Sequence, residues 1–299
     1  MVVAILLGAL AIMALTYIVV LGQAAVRLGQ LKPHFEGMAL GAVTNFFDTL
    51  GIGSFAPTTA WLKLRRLAPD SYIPTILNAG HGLPTIVEAL IFINLVKVDP
   101  WLLAGAISAS VLGAVVGAPI VVRLPIRAVQ AVVGVALIIA AILYILGNLN
   151  LMPSGGVALG LPPLLFAIAI PAYFVFGALM TCGIGLYAPS LVMLSLMGMD
   201  PKASLPIMMG ACAFLMPVSG ARFLRSERID IRLVIGIAAG GIPAVLVAAL
   251  LVKSLPLTAL RWGVVAVVLY AAAILLRSAV KPGLPDPEAD AEAEAAGSL

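Results

Sequence analysis

The chain has 299 residues, of which 63% are hydrophobic and 10% are charged, and its mean hydropathy is +1.17. Because a soluble domain carries about 25% charged residues, this composition excludes an ordinary soluble domain and predicts an all-α polytopic membrane protein in a lipid bilayer. The net charge is +4, and the basic residues stand in short loops, where they indicate membrane orientation and no nucleic-acid partner.

Nine apolar segments predict the order of the membrane elements. Each approaches or exceeds the roughly 20 residues that a helix needs to cross the hydrocarbon core, so we expect about 7–9 membrane segments. The segments lie at about residues 1–22, 37–62, 72–96, 101–122, 127–148, 161–198, 204–221, 232–252 and 257–277.

The two ends of the chain differ from the rest. Residues 1–22 have no basic stretch ahead of them and no clear cleavage site, which predicts a retained N-terminal membrane helix and not a signal peptide. Residues 278–299 are acidic and rich in Pro and Ala. They lack the apolar side chains that could offset the entropy lost on ordering, so we expect an acidic disordered tail.

Between these ends the sequence repeats. The repeat predicts two homologous halves, residues 37–148 and 161–277, within a single transport domain. An offset of 132 residues aligns Gly51 with Gly183, Gly53 with Gly185, Ala56 with Ala188, Pro57 with Pro189, and Pro74 with Pro206.

Each half contains a helix break at the same aligned place. Residues 51–58 read Gly-Ile-Gly-Ser-Phe-Ala-Pro-Thr, and residues 183–190 read Gly-Ile-Gly-Leu-Tyr-Ala-Pro-Ser. Gly and Pro interrupt an α-helix, and a broken backbone at membrane depth is tolerated only where protein or a water-filled cavity surrounds it. Matched breaks in two halves are therefore a pointer to the binding site of a transporter.

Loop charge predicts how the two halves are oriented. If every segment crosses the membrane once, the 17 Lys and Arg residues divide nearly evenly between the two sides. If the two segments with breaks instead dip in and return, the basic residues gather on one side, as the positive-inside rule expects. This arrangement is an inverted repeat with a re-entrant or broken helix in each half. Only four basic residues then lie outside: Lys97, Lys202, Lys253 and Arg261.

The breaks predict an anion site. A new half-helix is expected to begin near Ser54–Pro57 and near Leu186–Pro189, and a helix start leaves N–H groups unpaired and carries partial positive charge. The alternative is that the glycines permit close helix packing and the hydroxyls bond to backbone. The candidate substrate-binding residues are Asn45, Gly51, Gly53, Ser54, Thr58, Asn78, Thr181, Gly183, Gly185, Tyr187 and Ser190.

Three ionisable residues, Asp48, His81 and Glu88, lie within the predicted membrane depth and are candidates for proton coupling. His81 and Glu88 are seven residues apart and so share a helix face. The structural alternative is that Asp48 bonds the N–H groups of the break and that neighbouring polar groups satisfy the other two. The aligned positions in the second half are Met180, Ala213 and Gly220.

These motifs resemble the TauE/SafE sulfite exporter family, also called the toluene-sulfonate uptake permease family. The resemblance covers about residues 37–277 and rests on a glycine run followed by Pro in each half, here before Pro57 and before Pro189. The upstream glycines Gly37, Gly41 and Gly177 also fit. The chain departs from the family where further glycine is usual, at Ser54 and Leu186-Tyr187, and where Met208-Met209-Gly210-Ala211 replaces a Gly-Thr-Ser-like element.

The resemblance implies a secondary transporter, in the export direction, for small sulfur-containing anions such as sulfite, thiosulfate or organosulfonates. It also implies a multi-pass protein of the bacterial inner membrane. The two breaks predict alternating access, and the absence of a Walker A motif predicts that protons or the membrane potential drive transport; no cofactor is expected. Two alternatives stay open: a passive channel for a small anion or solute, and a cation or amino-acid transporter in which Asp48 binds the cation. An enzyme is not expected, because the sequence has neither a His-Glu-x-x-His motif nor an evident Ser/His/Asp arrangement. The sequence leaves open the exact substrate, the direction of transport, the coupling ion and its stoichiometry, the number of membrane spans and the oligomeric state.

Overall fold

The computed structural model describes residues 1–69, 72–117, 126–149, 156–224, 229–254 and 257–280. Within these ranges the fold consists of α-helices, and α5 continues into a π-helical turn at Gly113–Gly117. The helices are α1 (Val2–Arg27), α2 (Phe35–Thr49), α3 (Phe55–Arg65), α4 (Ile73–Leu95), α5 (Pro100–Leu112), α6 (Ile126–Asn148), α7 (Pro163–Met180), α8 (Tyr187–Leu196), α9 (Pro201–Phe223), α10 (Ile231–Ser254) and α11 (Leu257–Val280).

The prediction of an all-helical polytopic membrane protein is confirmed. Five helices of the described residues are long and apolar enough to cross a membrane, judged by length and composition: Val2–Arg27, Ile73–Leu95, Pro163–Met180, Pro201–Phe223 and Ile231–Leu251. The total number of spans stays a prediction. α11 continues through Val280, so the first three residues of the predicted tail are helical, and residues 281–299 lie outside the described residues.

Two interruptions separate helices where the glycine motifs predict them. The first break, residues 50–54, lies between α2 and α3, and the second break, residues 181–186, lies between α7 and α8. Gly51, Gly53 and Gly183 have φ angles of +89°, +86° and +86°. Only glycine enters this left-handed region without a penalty of about 1–2 kcal/mol, so the backbone itself requires glycine at these three positions.

The first break joins the two arms of a hairpin. At the open end of the hairpin, the Glu36 Oε1 atom on α2 accepts hydrogen bonds from Trp61 Nε1 at 3.2 Å and Arg65 Nε at 2.7 Å on α3. The arms have 15 and 11 residues, so at 1.5 Å per residue each is shorter than a hydrocarbon core of about 30 Å. The chain therefore enters and leaves this hairpin at the same end of the molecule.

The second break joins a similar hairpin. The Ala158 carbonyl, ahead of α7, accepts from the Asp200 N–H at 2.9 Å, and the Ala158 N–H donates to the Gly198 carbonyl at 3.3 Å, just after α8. These bonds hold the two ends of the α7–α8 hairpin together. The Asp99 N–H donates to the Leu159 carbonyl at 2.8 Å, which brings the α4–α5 connection to the same place.

The connections thus form two groups. Residues 95–100, 156–163 and 196–201 gather at one end of the molecule, which we call the Asp99 end. The other group contains residues 27–36, 65–69, 72–73, 224 and 229–232, which we call the Glu36 end. Here the His34 N–H donates to the Arg232 carbonyl at 2.9 Å, and Arg27 Nη2 donates to the Leu224 carbonyl at 2.6 Å. The first hairpin opens toward the Glu36 end and the second toward the Asp99 end.

Helix pairs pack in an exchanged pattern between the halves. α2 of the first half packs on α10 of the second half, and the aligned helix α7 of the second half packs on α5 of the first half. The other two pairs join aligned helices of the two halves: α4 packs on α9, and α6 packs on α11. A Cβ atom at Gly41 would overlap the carbonyl of Ile237 on α10, and one at Gly177 would overlap the carbonyl of Ser110 on α5. Glycine at these positions lets the helix backbones touch, as small residues do between membrane helices.

α4 and α9 form the centre of the bundle and run antiparallel. Ala79 near the start of α4 meets Gly220 near the end of α9, and Phe92 near the end of α4 lines a pocket with Leu205 near the start of α9. α1 lies across this pair, because the Tyr17 hydroxyl donates to the Ala79 carbonyl at 2.9 Å. Both breaks pack against the central pair, Gly51 against Leu205 and Gly183 against Leu77.

Candidate functional site

The two breaks meet each other at the middle of the bundle. A Cβ atom at Gly53 would lie 3.4 Å from the Cβ of Tyr187, and a Cβ atom at Gly185 would lie 3.4 Å from the Cβ of Phe55. Tyr187 and Phe55 are the first residues of α8 and α3, and the offset of 132 residues relates both members of each contact. The same contact is therefore made twice, with the roles of the halves exchanged.

A pocket opens at this junction. It is lined by six of the residues singled out in the sequence, namely Asp48, Gly53, Ser54, Gly183, Gly185 and Tyr187. Its other walls come from α6, α9 and α11 and include Gln130, Leu137, Cys212, Met216, Leu275 and Ser278. The remaining candidates do not line it: Asn45, Gly51, Thr58, Asn78, Thr181, Ser190, His81 and Glu88.

The two helix starts at the pocket differ in charge. The carboxylate of Asp48 faces both the hydroxyl and the backbone N–H of Ser54, the residue that precedes α3. The corresponding position in the second half is Met180, and Leu186 ahead of α8 has no side chain that could cap the helix. The partial positive charge of the α8 start therefore faces the pocket without a side chain that caps it.

Glu88 links α4 to both hairpins. This side chain is fully buried; Tyr187 at the start of α8 donates its hydroxyl to Oε2 at 2.9 Å, and Oε1 lies 2.9 Å from the Thr49 hydroxyl at the end of α2. Asp48 is close enough to Glu88 for their charges to interact. Glu88 thus lies behind the pocket and contacts it through Tyr187.

His81 belongs to a separate buried network. Its Nδ1 lies 2.9 Å from Asn45 Oδ1 and its Nε2 lies 2.9 Å from the Thr58 hydroxyl. Because Asn45 Nδ2 donates to the Gly41 carbonyl at 2.7 Å, Asn45 Oδ1 is the acceptor for the His81 Nδ1–H, and Nε2 accepts from Thr58. This network holds both arms of the first hairpin against α4.

Residues 165–298 match the family model described as sulfite exporter TauE/SafE. The match begins inside α7 and includes the second break, so the family resemblance of the sequence is confirmed over the second half. The match suggests a multi-pass membrane transporter that exports sulfite or another small anion. The curated proteins and the solved structures gave no match.

Within the part matched to the TauE/SafE family, polar candidates surround the second break without entering the pocket. Thr181 donates its hydroxyl to the Ala178 carbonyl at 2.6 Å, and the Ser190 hydroxyl hydrogen-bonds the hydroxyl of Tyr173. From the first half, Asn78 Nδ2 donates to the Met180 carbonyl at 3.3 Å, at the last residue of α7. These bonds satisfy backbone and hydroxyl groups that the break leaves exposed at membrane depth.

Sequence reasoning missed several residues of the site. Thr49 touches Glu88, and Gln130, Cys212 and Ser278 line the pocket. Gln130 could have been found as a polar residue in an otherwise apolar stretch of α6. The α9 and α11 residues carry no such signal, because which face of an apolar helix meets the pocket depends on packing.

Proposed function

We propose that this chain is a secondary transporter that exports small sulfur-containing anions, such as sulfite, thiosulfate or organosulfonates, across the cell inner membrane. The observation that carries the proposal is the reciprocal contact between the two breaks around one pocket. The TauE/SafE match over the second half supports the class of substrate.

The pocket has chemistry suited to an anion without a buried Lys or Arg. The uncapped start of α8 offers backbone N–H groups and the positive end of the helix dipole, as anion sites at helix starts do. Gly183 and Gly185 let the chain approach closely, since neither carries a side chain into the pocket. Apolar and sulfur-containing walls, including Met180, Cys212 and Met216, leave room for the less polar part of an organosulfonate.

The placement of the connections supports an inverted repeat. The two hairpins open toward opposite ends of the molecule, and the central pair α4 and α9 runs antiparallel. Among the described residues, the Glu36 end carries more of the basic side chains, including Arg27, Lys32, Lys63, Arg65, Arg66 and Arg232, whereas Lys97 and Lys202 lie at the Asp99 end. By the positive-inside rule the Glu36 end is cytoplasmic.

This arrangement supports alternating access as the mechanism. Each break belongs to a hairpin that reaches the pocket from one side, so rocking of one half against the other opens the pocket to one side at a time. The membrane potential or a proton gradient supplies the energy.

The proposal is tested by flux measurements in liposomes. We expect saturable transport of at least one of sulfite, thiosulfate and sulfoacetate by the purified protein, and its loss in Gly53→Leu and Gly185→Leu, because a side chain there enters the contact between the breaks. Gly198→Leu is the matched control for Gly53→Leu, since its φ is +93° but nothing lies within 4 Å of a Cβ at that position. A folded protein that moves none of the three anions would contradict the proposal.

A further inference from the structure

The hydrogen bonds around Glu88 require one more hydrogen than Thr49 and Tyr187 can provide. The Thr49 Oγ1 atom lies 2.8 Å from the carbonyl oxygen of Asn45 and 2.9 Å from Glu88 Oε1. A carbonyl oxygen and an ionised carboxylate only accept, and a threonine hydroxyl has one hydrogen. If Glu88 were ionised, one of these two close oxygen–oxygen contacts would have no hydrogen between the atoms.

A protonated Glu88 satisfies every contact. Its Oε1–H then donates to Thr49, the Thr49 hydroxyl donates to the Asn45 carbonyl, and Tyr187 donates to Glu88 Oε2 at 2.9 Å. All the atoms concerned are buried, where a close contact between two acceptors is costly.

The neighbouring charges agree with this assignment. Asp48 on α2 faces two donors from Ser54, and both hydrogen bonds favour the ionised form of its carboxyl group. Tyr187 on α8 and Cys212 on α9 also face the pair, and both are neutral donors or weak acceptors. The other described titratable side chains on the helices around α4 lie elsewhere. Tyr17 bonds to Ala79, and His81 bonds to Asn45 and Thr58. Lys202 stands at the Asp99 end, and the remainder stand at the Glu36 end: Arg27, Glu36, Lys63, Arg65, Arg222 and Arg232.

We propose that Glu88 is the proton-binding site of this transporter, protonated in the present structure, and that its proton travels in the same direction as the anion, so that the membrane potential drives the export of a divalent anion together with one proton. The inference rests on the proposed function and names its coupling site. An anion in the pocket lies near Asp48, and a second ionised carboxyl behind Tyr187 would repel it further. Binding of the anion therefore favours the proton on Glu88, and by thermodynamic reciprocity the proton favours binding of the anion.

Tyr187 connects the proton to the anion. Its hydroxyl bonds to Glu88, while its backbone begins α8 at the wall of the pocket. If Glu88 loses its proton, the Thr49 hydroxyl can donate to Glu88 instead of to Asn45. An ionised Glu88 then lies close to the carboxyl group of Asp48. The proton reaches Glu88 from water on one side of the membrane and leaves to water on the other.

The experiment compares the wild type with Glu88→Gln, which keeps the shape of a protonated glutamate but cannot release a proton. Proteoliposomes are held at zero membrane potential with a gradient of one pH unit, and the probe is whichever of sulfite, thiosulfate and sulfoacetate the wild type moves. With one proton per anion, the wild type is expected to build a roughly tenfold anion gradient, and Glu88→Gln a ratio of about one, with its anion binding retained. Glu36→Gln is the matched control, because Glu36 lies at the end of the first hairpin and pairs with Arg65, and it is expected to behave like the wild type.

Infrared spectroscopy gives a second readout that does not depend on transport. The wild type at neutral pH is expected to show the carbonyl band of a buried protonated carboxyl group, and Tyr187→Phe is expected to shift that band because it removes a hydrogen bond to Oε2. The absence of the band in the folded wild type overturns the assignment even if Glu88→Gln does not fold.

The outcomes separate this inference from the proposed function. If the wild type moves none of the anions, the proposed function fails and the coupling site fails with it. If the wild type moves an anion but builds no gradient from the pH difference, or if Glu88→Gln builds one as well, only the assignment of Glu88 is overturned.

Discussion

At the scale of single residues, the two halves share a backbone but differ in their polar side chains. Asp48 stands beside the first helix start, and Met180 occupies the aligned place beside the second. Phe55 and Tyr187 are related in the same way, and only Tyr187 can donate a hydrogen bond to Glu88. The chemistry of the pocket is therefore asymmetric although its framework repeats.

Asp48→Asn separates the anion transporter from the cation transporter left open by the sequence. The carboxylate lines the pocket and repels an anion, so its removal is expected to strengthen anion binding by about fivefold or more, because two like charges about 4 Å apart repel by roughly 1 kcal/mol even at the dielectric constant of water. Calorimetric titration of sulfite or thiosulfate into purified protein measures the change. Loss of anion binding in a folded variant would contradict this expectation, and binding of a cation that disappears with Asp48 would favour the alternative.

A site residue could be predicted from the sequence only where its role depends on the residue type itself and not on how the helices pack. Gly51, Gly53 and Gly183 could be identified because their backbone conformation requires glycine, and glycine is therefore present in the sequence at these positions. Thr58 and Ser190 carry hydroxyls near the breaks but point into hydrogen bonds with His81 and Tyr173. The residue type alone does not show whether a hydroxyl faces the pocket or a neighbouring side chain, because the direction of the hydroxyl depends on how α3 and α8 are rotated against their neighbours.

At the scale of elements, the apolar segments predicted the helices well but not how they cross. The single segment at 161–198 is long enough for a full span, and the structure divides it into α7 with 18 residues and α8 with 10. Hydropathy depends only on the length and polarity of a segment. The α7–α8 hairpin is recognised in the structure from the backbone hydrogen bonds of Ala158 with Gly198 and Asp200. Loop charge carries a different signal, because it depends on which side of the membrane each connection reaches, and the inverted repeat that it indicates stays a prediction.

The glycine contacts between helices give a prediction at this scale. Gly41→Leu and Gly177→Leu are each expected to lower the free energy of unfolding by about 3 kcal/mol or to prevent folding, because each side chain would overlap a backbone carbonyl of the facing helix. Thermal unfolding in detergent measures the effect. Gly8→Leu serves as the control, since nothing lies within 4 Å of a Cβ there. Equal stability of all three variants would contradict the close packing of α2 on α10 and of α7 on α5.

At the scale of the whole molecule, the charges of the two ends predict the orientation in the membrane. Single cysteines replace Arg66 at the Glu36 end and Lys97 at the Asp99 end, in a background with Cys182→Ala and Cys212→Ala that retains anion flux. A membrane-impermeant maleimide applied to intact cells is expected to label the variant at position 97, and to label the variant at position 66 only after permeabilisation. Labelling of both variants from the same side would contradict the inverted arrangement.

The unequal pair Phe55 and Tyr187 has an energetic consequence for the transport cycle. If the halves exchange conformations during transport as proposed, a fully symmetric carrier would populate its inward-open and outward-open forms equally. Here the hydrogen bond from Tyr187 to Glu88 has no counterpart at Phe55, which has no hydroxyl group. If this bond breaks in one of the two open forms, no equivalent bond from Phe55 replaces it in that form. One such bond is worth about 1 kcal/mol, which corresponds to a roughly fivefold preference for one resting form. Under the proposed mechanism, the empty carrier is expected to rest with its pocket open to one side of the membrane, and protonation of Glu88 is expected to set the strength of that preference.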